Sequence, residues 1–115
     1  MKKLLYLMFF LACATMSAQS EFPSINITTL DGQTINTNQL SKDNKVTIIS
    51  LWATWCVPCL KELDAINEVY PDWQDETGVE LIAISVDDSR TINRVRPMVN
   101  GKSWEYQILL EVMIT

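Results

Sequence analysis

Histidine is absent from this chain, and cysteine is scarce, with three residues among 115. Zinc and copper sites in proteins need three or four ligands, most often imidazole or thiolate groups. Without histidine, and with only Cys56 and Cys59 left if the N-terminal segment that contains Cys13 is removed, such a site is disfavoured. Covalent haem attachment is excluded as well, because it needs a histidine directly after the second cysteine of a Cys-x-x-Cys pair, and that position holds Leu60.

Cations are few relative to acids: nine Lys and Arg stand against 14 Asp and Glu, a formal net charge of −5. Loss of the first 18 residues would remove Lys2 and Lys3 and leave a charge of −7. Such a surface repels phosphate backbones, and no basic run is interleaved with aromatic residues. Nucleic acid binding is therefore disfavoured. The length of 115 residues allows one small domain.

No apolar run is long enough to span a bilayer comfortably, but the run at the start is typical of export. Lys2 and Lys3 precede apolar residues from Leu4 to about Ala14, and small residues follow them. This order is that of a secretory signal peptide. We predict cleavage after Ala18, although Met16 is a poor match to the small residue usual at that place.

The chain is thus predicted to consist of a signal peptide, residues 1–18, and a folded domain, residues 19–115. Two alternatives stay open for the first segment. Cys13 could be lipidated and tether the domain to a membrane, although Phe10 stands where such signals usually carry leucine. The segment could also be a buried helix, which would not need every charge at one end.

Export leaves Cys56 and Cys59 as the two cysteines of the domain. Such a pair can be a structural staple, a metal site or a redox centre. A staple is a weak explanation, because closing so short a loop removes little entropy from the unfolded chain. A metal site lacks further ligands. A redox pair is the favoured interpretation.

The hydrophobic period changes at this pair. Residues 46–52, VTIISLW, form a continuous apolar run typical of a strand buried on both faces. From Leu60 onward apolar residues recur at spacings of three and four, which predicts an amphipathic helix. Pro58 is tolerated only in the first helical turn, so the helix should begin within two residues of Cys56. Unpaired N–H groups there favour a thiolate, and Cys59 follows one turn later, within disulfide reach.

The different positions of the two cysteines, one at the helix start and one a turn later, predict different chemical roles for them. Cys56 is the candidate nucleophile that attacks a disulfide, and Cys59 is the shielded partner that resolves the mixed disulfide. Pro58 would keep the first turn rigid, and Trp55 would limit solvent access to the thiols. Val57 and Pro58 also influence the reduction potential, but they do not fix it, so the direction of electron flow stays open.

Two further side chains have a structural explanation beside the functional one. Trp52 could flank the thiols together with Trp55, but core packing is the favoured explanation for Trp52. Glu62 could move protons near Cys59, and a solvated helix face explains Glu62 equally well.

The segment WATWCVPC, set between a strand and a helix, resembles the active-site segment of the TlpA-like (ResA-like) thiol-disulfide oxidoreductases of the thioredoxin superfamily. A hairpin before the catalytic strand is similar to one in that family. Here residues 22–36 indicate two short strands joined at Asp31 and Gly32, a type I′ turn signal. Downstream, a buried strand over 79–86, a shorter helix and a strand over 106–110 complete an α/β, thioredoxin-like series with a parallel sheet.

Local signals place the ends of these helices. Gly78 should end the first helix, and Asn100-Gly101 the second. Pro71 and Pro97 should end or kink the helices that contain them. Candidate N-caps of the second helix are Asp87, Asp88 and Ser89.

The chain departs from the resembled pattern in two places. Thioredoxins proper carry a buried aspartate six residues before the first cysteine, where this chain has Ser50, and this favours the TlpA-like branch. In the family the last strand seen here is followed by a helix, a cis-proline, two antiparallel strands and a final helix. With Thr115 as the last residue, and with Val112–Thr115 no longer following the family pattern, we expect an incomplete fold. The strand over 46–52 should then have an uncovered edge.

The resemblance implies an exported disulfide reductase of the periplasm or cell envelope. Its partners would be protein thiols and disulfides, apocytochrome c among them, and a membrane electron donor; no cofactor or metal is implied. An inactive fragment or interaction module is one alternative. A peroxiredoxin-related protein is another, but its motif needs proline and threonine or serine where Ile49 and Ala53 stand before Cys56.

Overall fold

The computed structural model describes residues 1–13, 23–40 and 45–111. The helices are α1 (Lys2–Cys13), α2 (Val57–Thr77) and α3 (Val95–Lys102). The strands are β1 (Asn26–Thr29), β2 (Thr34–Asn36), β3 (Thr47–Trp52), β4 (Glu80–Ser85) and β5 (Gln107–Leu110). Short 3-10 turns occupy Thr37–Gln39 and Ile92–Arg94.

The strands form one five-stranded sheet in the order β2-β1-β5-β4-β3. β3, β4 and β5 are parallel neighbours, joined by crossovers that contain α2 and α3. β1 pairs antiparallel with both β2 and β5 and so attaches the hairpin to the parallel part. The predicted α/β series of hairpin, strand, helix, strand, helix and strand is confirmed.

The β1–β2 hairpin turns where it was predicted to, but by another turn type. The N–H of Gly32 donates to the carbonyl of Thr29 at 3.0 Å, and Gly32 has a φ of +86°. A type I′ turn needs positive φ at both central residues. Asp31 does not have it, so the type I′ prediction was wrong, and glycine alone supplies the left-handed residue that closes the turn.

Apolar side chains form a cluster on each face of the sheet. The cluster on the face covered by α2 and α3 has buried side chains from both helices, from β3, β4 and β5, and Tyr106: Trp52, Leu63, Tyr70, Leu81, Ala83, Val95, Tyr106 and Ile108. The cluster on the other face contains Ile27, Leu40, Ile82, Ile84 and Leu109. β4 contributes to both clusters, as expected of a strand buried on both faces.

β3 is not buried on both faces, in contrast to the prediction. It is an outer strand of the sheet, and Ile48 and Leu51 are exposed along it, with Val46 exposed just before it. An apolar run has the same appearance in a central and in an outer strand, so the pattern did not separate the two. The predicted uncovered edge is present among the described residues; residues 112–115 lie outside them.

The helix ends agree with the prediction only in part. Gly78 caps α2 with a φ of +67°, as expected. α2 nevertheless continues through Pro71, and Pro97 lies in the first turn of α3, so neither proline ends its helix. α3 also includes Asn100 and Gly101 and is capped by Ser103 in the left-handed region. The Asn-Gly signal was wrong as the end of α3, and Pro97 is tolerated because the N–H groups of the first helical turn have no partner within the helix.

Candidate active site: a cysteine pair at the start of a helix

A tight turn connects β3 to α2 and places Cys56 at the start of the helix. The N–H of Cys56 donates to the carbonyl of Ala53 at 3.0 Å, which closes the turn Ala53–Cys56. Cys56 is the N-cap of α2 with extended backbone angles, and its carbonyl accepts the first helical hydrogen bond from the N–H of Leu60 at 3.1 Å. Pro58 lies in the first turn, where its missing N–H costs no hydrogen bond. Helix α2 therefore starts where the sequence predicted.

Cys56 and Cys59 form a disulfide across this first turn, with their Cα atoms 5.3 Å apart. Both residues are half-buried, and Cys59 packs against the core cluster on the helix face of the sheet. No side chain caps the first N–H groups of α2. These groups and the positive end of the helix dipole are thus available to stabilise a negative charge on the Cys56 sulfur once the disulfide is reduced.

The side chains around the disulfide are apolar and exposed. Trp55 is 63% exposed and Val57 58% exposed, and Pro58 is exposed beside them. Together with the disulfide these three residues form a small apolar surface, which we call the cysteine rim. A surface of this kind can contact a polypeptide segment without a charged partner.

Trp52 does not belong to the cysteine rim. Its side chain is buried in the core, where its ring meets the ring of Trp104 edge to face with centroids 5.2 Å apart. Core packing, the favoured explanation from the sequence, accounts for this position. Glu62 is exposed on α2 and takes part in no hydrogen bond or ion pair among the described residues.

The contact between Asp87 and the active-site turn was not predicted from the sequence. The Asp87 carboxylate is buried, with 3% of the residue exposed. It accepts hydrogen bonds from the Thr54 N–H at 3.0 and 3.2 Å and from the Thr54 hydroxyl at 2.6 Å. The Ser85 hydroxyl donates to it at 2.6 Å. The prediction that Asp87 caps the second helix was wrong, because its carboxylate faces the turn before Cys56 instead.

Asp88 does not cap the second helix either, because the N-cap position of α3 is Arg94, without a side-chain cap. The side chain of Asp88 accepts hydrogen bonds from the N–H and the guanidinium of Arg90, and its carbonyl accepts from the N–H groups of Thr91 and Ile92. Asp88 thereby organises the 3-10 turn that precedes α3. Ser89 is exposed, and within the described residues its side chain makes no hydrogen bond.

Burial and hydrogen bonding act in opposite directions on Asp87. Burial raises the pKa of the carboxyl, but the donors on Ser85 and Thr54 stabilise the ionised form, and the pKa lies below its usual value. The Asp87 carboxylate is therefore charged at neutral pH, and within the described residues no cation lies within ion-pair distance of it.

The position that carries a buried aspartate in thioredoxins proper is Ser50, which lies in β3 opposite Ala83 of β4. Within the described parts of the chain, no group of three or more acidic, cysteine or histidine side chains is arranged to hold a metal ion. No helix among the described residues is long and apolar enough to span a membrane.

Comparison with known sequence families identifies the family of this chain. The AhpC/TSA family matches residues 18–113, which include the turn, both cysteines and all five strands. The chain belongs to the AhpC/TSA family. This AhpC/TSA-family chain is also similar to proteins named thiol-disulfide oxidoreductase ResA. It is 34% identical to the one from Bacillus anthracis over 107 residues, which cover 93% of this chain and 59% of the relative.

A second ResA, from Geobacillus kaustophilus, is 31% identical over 87 residues, which cover 75% of this chain and 48% of the relative. The chain therefore spans about half to three fifths of the length of these relatives. The resemblance inferred from the WATWCVPC segment is confirmed by these matches.

Solved structures support the same fold. The solution structure of an uncharacterized thioredoxin-like protein from Porphyromonas gingivalis matches with a TM-score of 0.69 and 48% identity, over 80% of this chain and 60% of the other. StoA from Bacillus subtilis matches with a TM-score of 0.56 and 22% identity, over 76% and 63% of the two chains, and shows the fold alone. The thioredoxin-like prediction for this AhpC/TSA-family chain is confirmed.

Proposed function

We propose that this protein is a thiol-disulfide oxidoreductase that reduces protein disulfides through Cys56 and Cys59. The observation that carries the proposal is the Cys56–Cys59 disulfide at the uncapped N-terminus of α2, at the carboxyl end of β3. Ligand and substrate sites of parallel sheets lie at this end of the strands. The ResA relatives, which are named for this class of reaction, support the same assignment.

The proposed reaction begins with the reduced pair. The Cys56 thiolate attacks one sulfur of the substrate disulfide, which forms a mixed disulfide and releases the other substrate sulfur as a thiolate that takes up a proton. Cys59 then loses its proton and attacks the Cys56 sulfur, which forms the intramolecular disulfide and releases the second substrate thiol. The substrate gains two electrons and the cysteine pair loses two, so a separate thiol donor must reduce the pair before the next turnover.

The structure supports this division of roles. Cys56 is the N-cap and is bordered by exposed residues, whereas Cys59 packs against the core cluster. A sulfur held one helical turn away reacts at a high effective concentration, so the mixed disulfide is short-lived. We assign Cys56 as the nucleophile, Cys59 as the resolving thiol, and Trp55, Val57 and Pro58 as the supporting residues that contact the substrate polypeptide or rigidify the turn.

We further propose export to the periplasm or cell envelope. The order of Lys2, Lys3 and the following apolar run supports cleavage of a signal peptide after Ala18. In α1, Leu4, Leu5, Tyr6 and Leu7 are exposed, which counts against a buried core helix in this segment. Lipidation of Cys13 is the alternative, and mass spectrometry of the processed protein distinguishes a free residue 19 from an acylated residue 13.

In that compartment the substrates would be protein disulfides, with the cysteines of apocytochrome c as one class, and a membrane protein would supply the electrons. An anionic surface is compatible with polypeptide clients and opposes nucleic acid binding. The proposed chemistry uses no metal and no cofactor, because the cysteine sulfurs themselves carry the electrons.

Insulin reduction with dithiothreitol tests the activity. The purified protein should accelerate the precipitation of insulin chains, and Cys56→Ser should abolish the acceleration. Cys59→Ser, reduced beforehand and mixed with insulin after removal of dithiothreitol, should accumulate the mixed disulfide of Cys56, which mass spectrometry detects as a covalent adduct. Absence of turnover in the unaltered chain would favour an inactive interaction module, and peroxide consumption without insulin reduction would favour a peroxiredoxin-related activity.

A further inference from the structure

We propose that Asp87 is a positioning residue for the cysteine pair: its buried carboxylate fixes the turn Ala53–Cys56 and thereby the geometry in which Cys56 and Cys59 react. The proposal deepens the oxidoreductase function proposed above and rests on it. It assigns a role in the site to a residue that lies thirty-one positions beyond Cys56 in the chain, in the connection between β4 and α3.

The contacts that carry this inference converge on one residue of the turn. Thr54 donates both its N–H and its hydroxyl to the Asp87 carboxylate, at 3.0 Å and 2.6 Å for the closest pairs of atoms. Thr54 and Asp87 are both buried. Two donors from the same residue fix its orientation as well as its distance, because both bonds are satisfied in only one arrangement.

The carboxylate is itself held in place from β4. The Ser85 hydroxyl donates to Asp87 at 2.6 Å and accepts from the Asp87 N–H at 3.1 Å. Ser85 is the last residue of β4 and pairs with Trp52, the last residue of β3. One step further, the N–H of Val86 donates to the carbonyl of Trp52 at 2.8 Å. The Asp87 carboxylate is thus held by the end of β4, which is itself paired with the end of β3.

The turn transmits this restraint to the sulfur. Thr54 is the second residue of the four-residue turn that the Cys56 N–H closes on Ala53. With Ala53 and Thr54 both buried and Thr54 held at two atoms, little freedom remains for Cys56 to move relative to the first turn of α2. A fixed Cys56 keeps the two sulfurs at bonding distance, which raises their effective concentration toward each other.

Proton transfer is a less suitable role for this carboxylate. Both of its oxygens accept hydrogen bonds from the protein, one from two donors on Thr54 and the other from Thr54 and Ser85. Its pKa is lowered by these donors despite burial. A carboxylate whose pKa lies below its usual value is a poor proton acceptor at neutral pH.

The test measures the effective concentration of the cysteine pair, by equilibrating each purified variant with mixtures of reduced and oxidised glutathione and quantifying the disulfide by alkylation. Thr54→Val keeps the Asp87 charge and the size of the side chain but removes the hydroxyl donor. We expect it to lower the effective concentration by about tenfold, the scale of one hydrogen bond to a charged group. Thr54→Ser retains both donors and should match the unaltered protein.

Asp87→Asn should lower the effective concentration at least as much as Thr54→Val, because a carboxamide nitrogen cannot accept a hydrogen bond. Asp88→Asn, the neighbouring acid that contacts Arg90 instead, is the matched control and should have no effect. All measurements are made well below the unfolding temperature of each variant, so that loss of stability alone does not change the result. If Asp87→Asn does not fold, the pair Thr54→Val and Thr54→Ser decides the question.

Equal effective concentrations in Thr54→Val and the unaltered protein would overturn the proposal. A shift in Asp87→Asn alone would overturn it as well, because the effect would then come from the charge and not from positioning. The equilibrium needs no catalytic turnover. If the effective concentration falls in Thr54→Val and Asp87→Asn but the unaltered protein does not reduce insulin, the proposed function is contradicted and the positioning role stands. If the unaltered protein reduces insulin but the effective concentration does not change in the variants, the positioning role is contradicted and the proposed function stands.

Discussion

Cys56 and Gly78 occupy the two capping positions of the same helix, α2, in opposite backbone conformations. Cys56 is extended, with φ −91° and ψ 92°, and Gly78 is left-handed, with φ 67° and ψ 15°. The N–H of Gly78 donates to the carbonyl of Gln74 at 2.9 Å and closes the last turn. The candidate nucleophile therefore begins a helix whose far end depends on glycine.

Replacing Gly78 with alanine should destabilise the protein by about 1 kcal/mol, because a side chain disfavours the left-handed region. An added Cβ meets no atom within 4 Å, so steric contact does not contribute. Gly101→Ala is the matched control: Gly101 lies inside α3 without a positive φ and also has open space for a Cβ. It should stabilise the protein by about 0.5–1 kcal/mol. Urea unfolding measures both, and effects of the same sign would contradict the assigned conformations.

The two sulfurs should differ in reactivity once the disulfide is reduced. At neutral pH we expect iodoacetamide to modify Cys56 about ten times faster than Cys59, because the helix N-terminus favours its thiolate. Peptide mapping by mass spectrometry after short exposures gives the two rates, and complete modification in denaturant serves as the reference. Equal rates would remove the basis for assigning Cys56 as the nucleophile.

Asp87 should make the stability of the protein depend on acid. Because its pKa in the folded state is lowered, its ionised form contributes stability above the unfolded value of about 4, and this contribution is lost as the pH falls through the folded value. Between pH 5 and pH 2, Asp87→Asn should therefore lose less stability than the unaltered protein. Asp72→Asn removes one charge from an exposed position of α2 and controls for net charge. Parallel curves of unfolding midpoint against pH for Asp87→Asn and the unaltered protein would refute this prediction.

The outer edge of β3 should promote self-association. Val46 is 69% and Leu51 61% exposed at this edge, and an outer strand offers unpaired backbone groups to another chain. Leu51→Lys should lower the associated fraction in sedimentation velocity several-fold, because a charge resists desolvation there. Val69→Lys introduces the same charge at an exposed apolar position of α2 and should leave association unchanged. An equal decrease in both variants would point to net charge and not to the strand edge.

The sequence was sufficient to predict the parts of the fold that depend on local pattern. The change of period at residues 46–60 and the position of Pro58 placed the start of α2 correctly, because proline restricts a helix start more strongly than any other residue does. The buried strand β4 was recognisable from its continuous apolar run.

Features that depend on contacts distant in sequence were missed. Asp87 next to Asp88 and Ser89 has the pattern of a helix cap, and only the pairing of β3 with β4 reveals that its partner is Thr54. β3 has the continuous apolar run of a strand buried on both faces, but Ile48 and Leu51 are exposed along it. In both cases the neighbour in space, and not the neighbour in sequence, decides the environment.

The pairing of β1 with β5, with Thr28 opposite Leu110, has a consequence for the order of assembly. A chain that emerges from the ribosome or a translocation channel exposes the hairpin long before its partner strand arrives. Until that moment one side of β1 is open to any extended polypeptide nearby, so the first half of the molecule should need a chaperone or rapid emergence of the rest to reach its native arrangement.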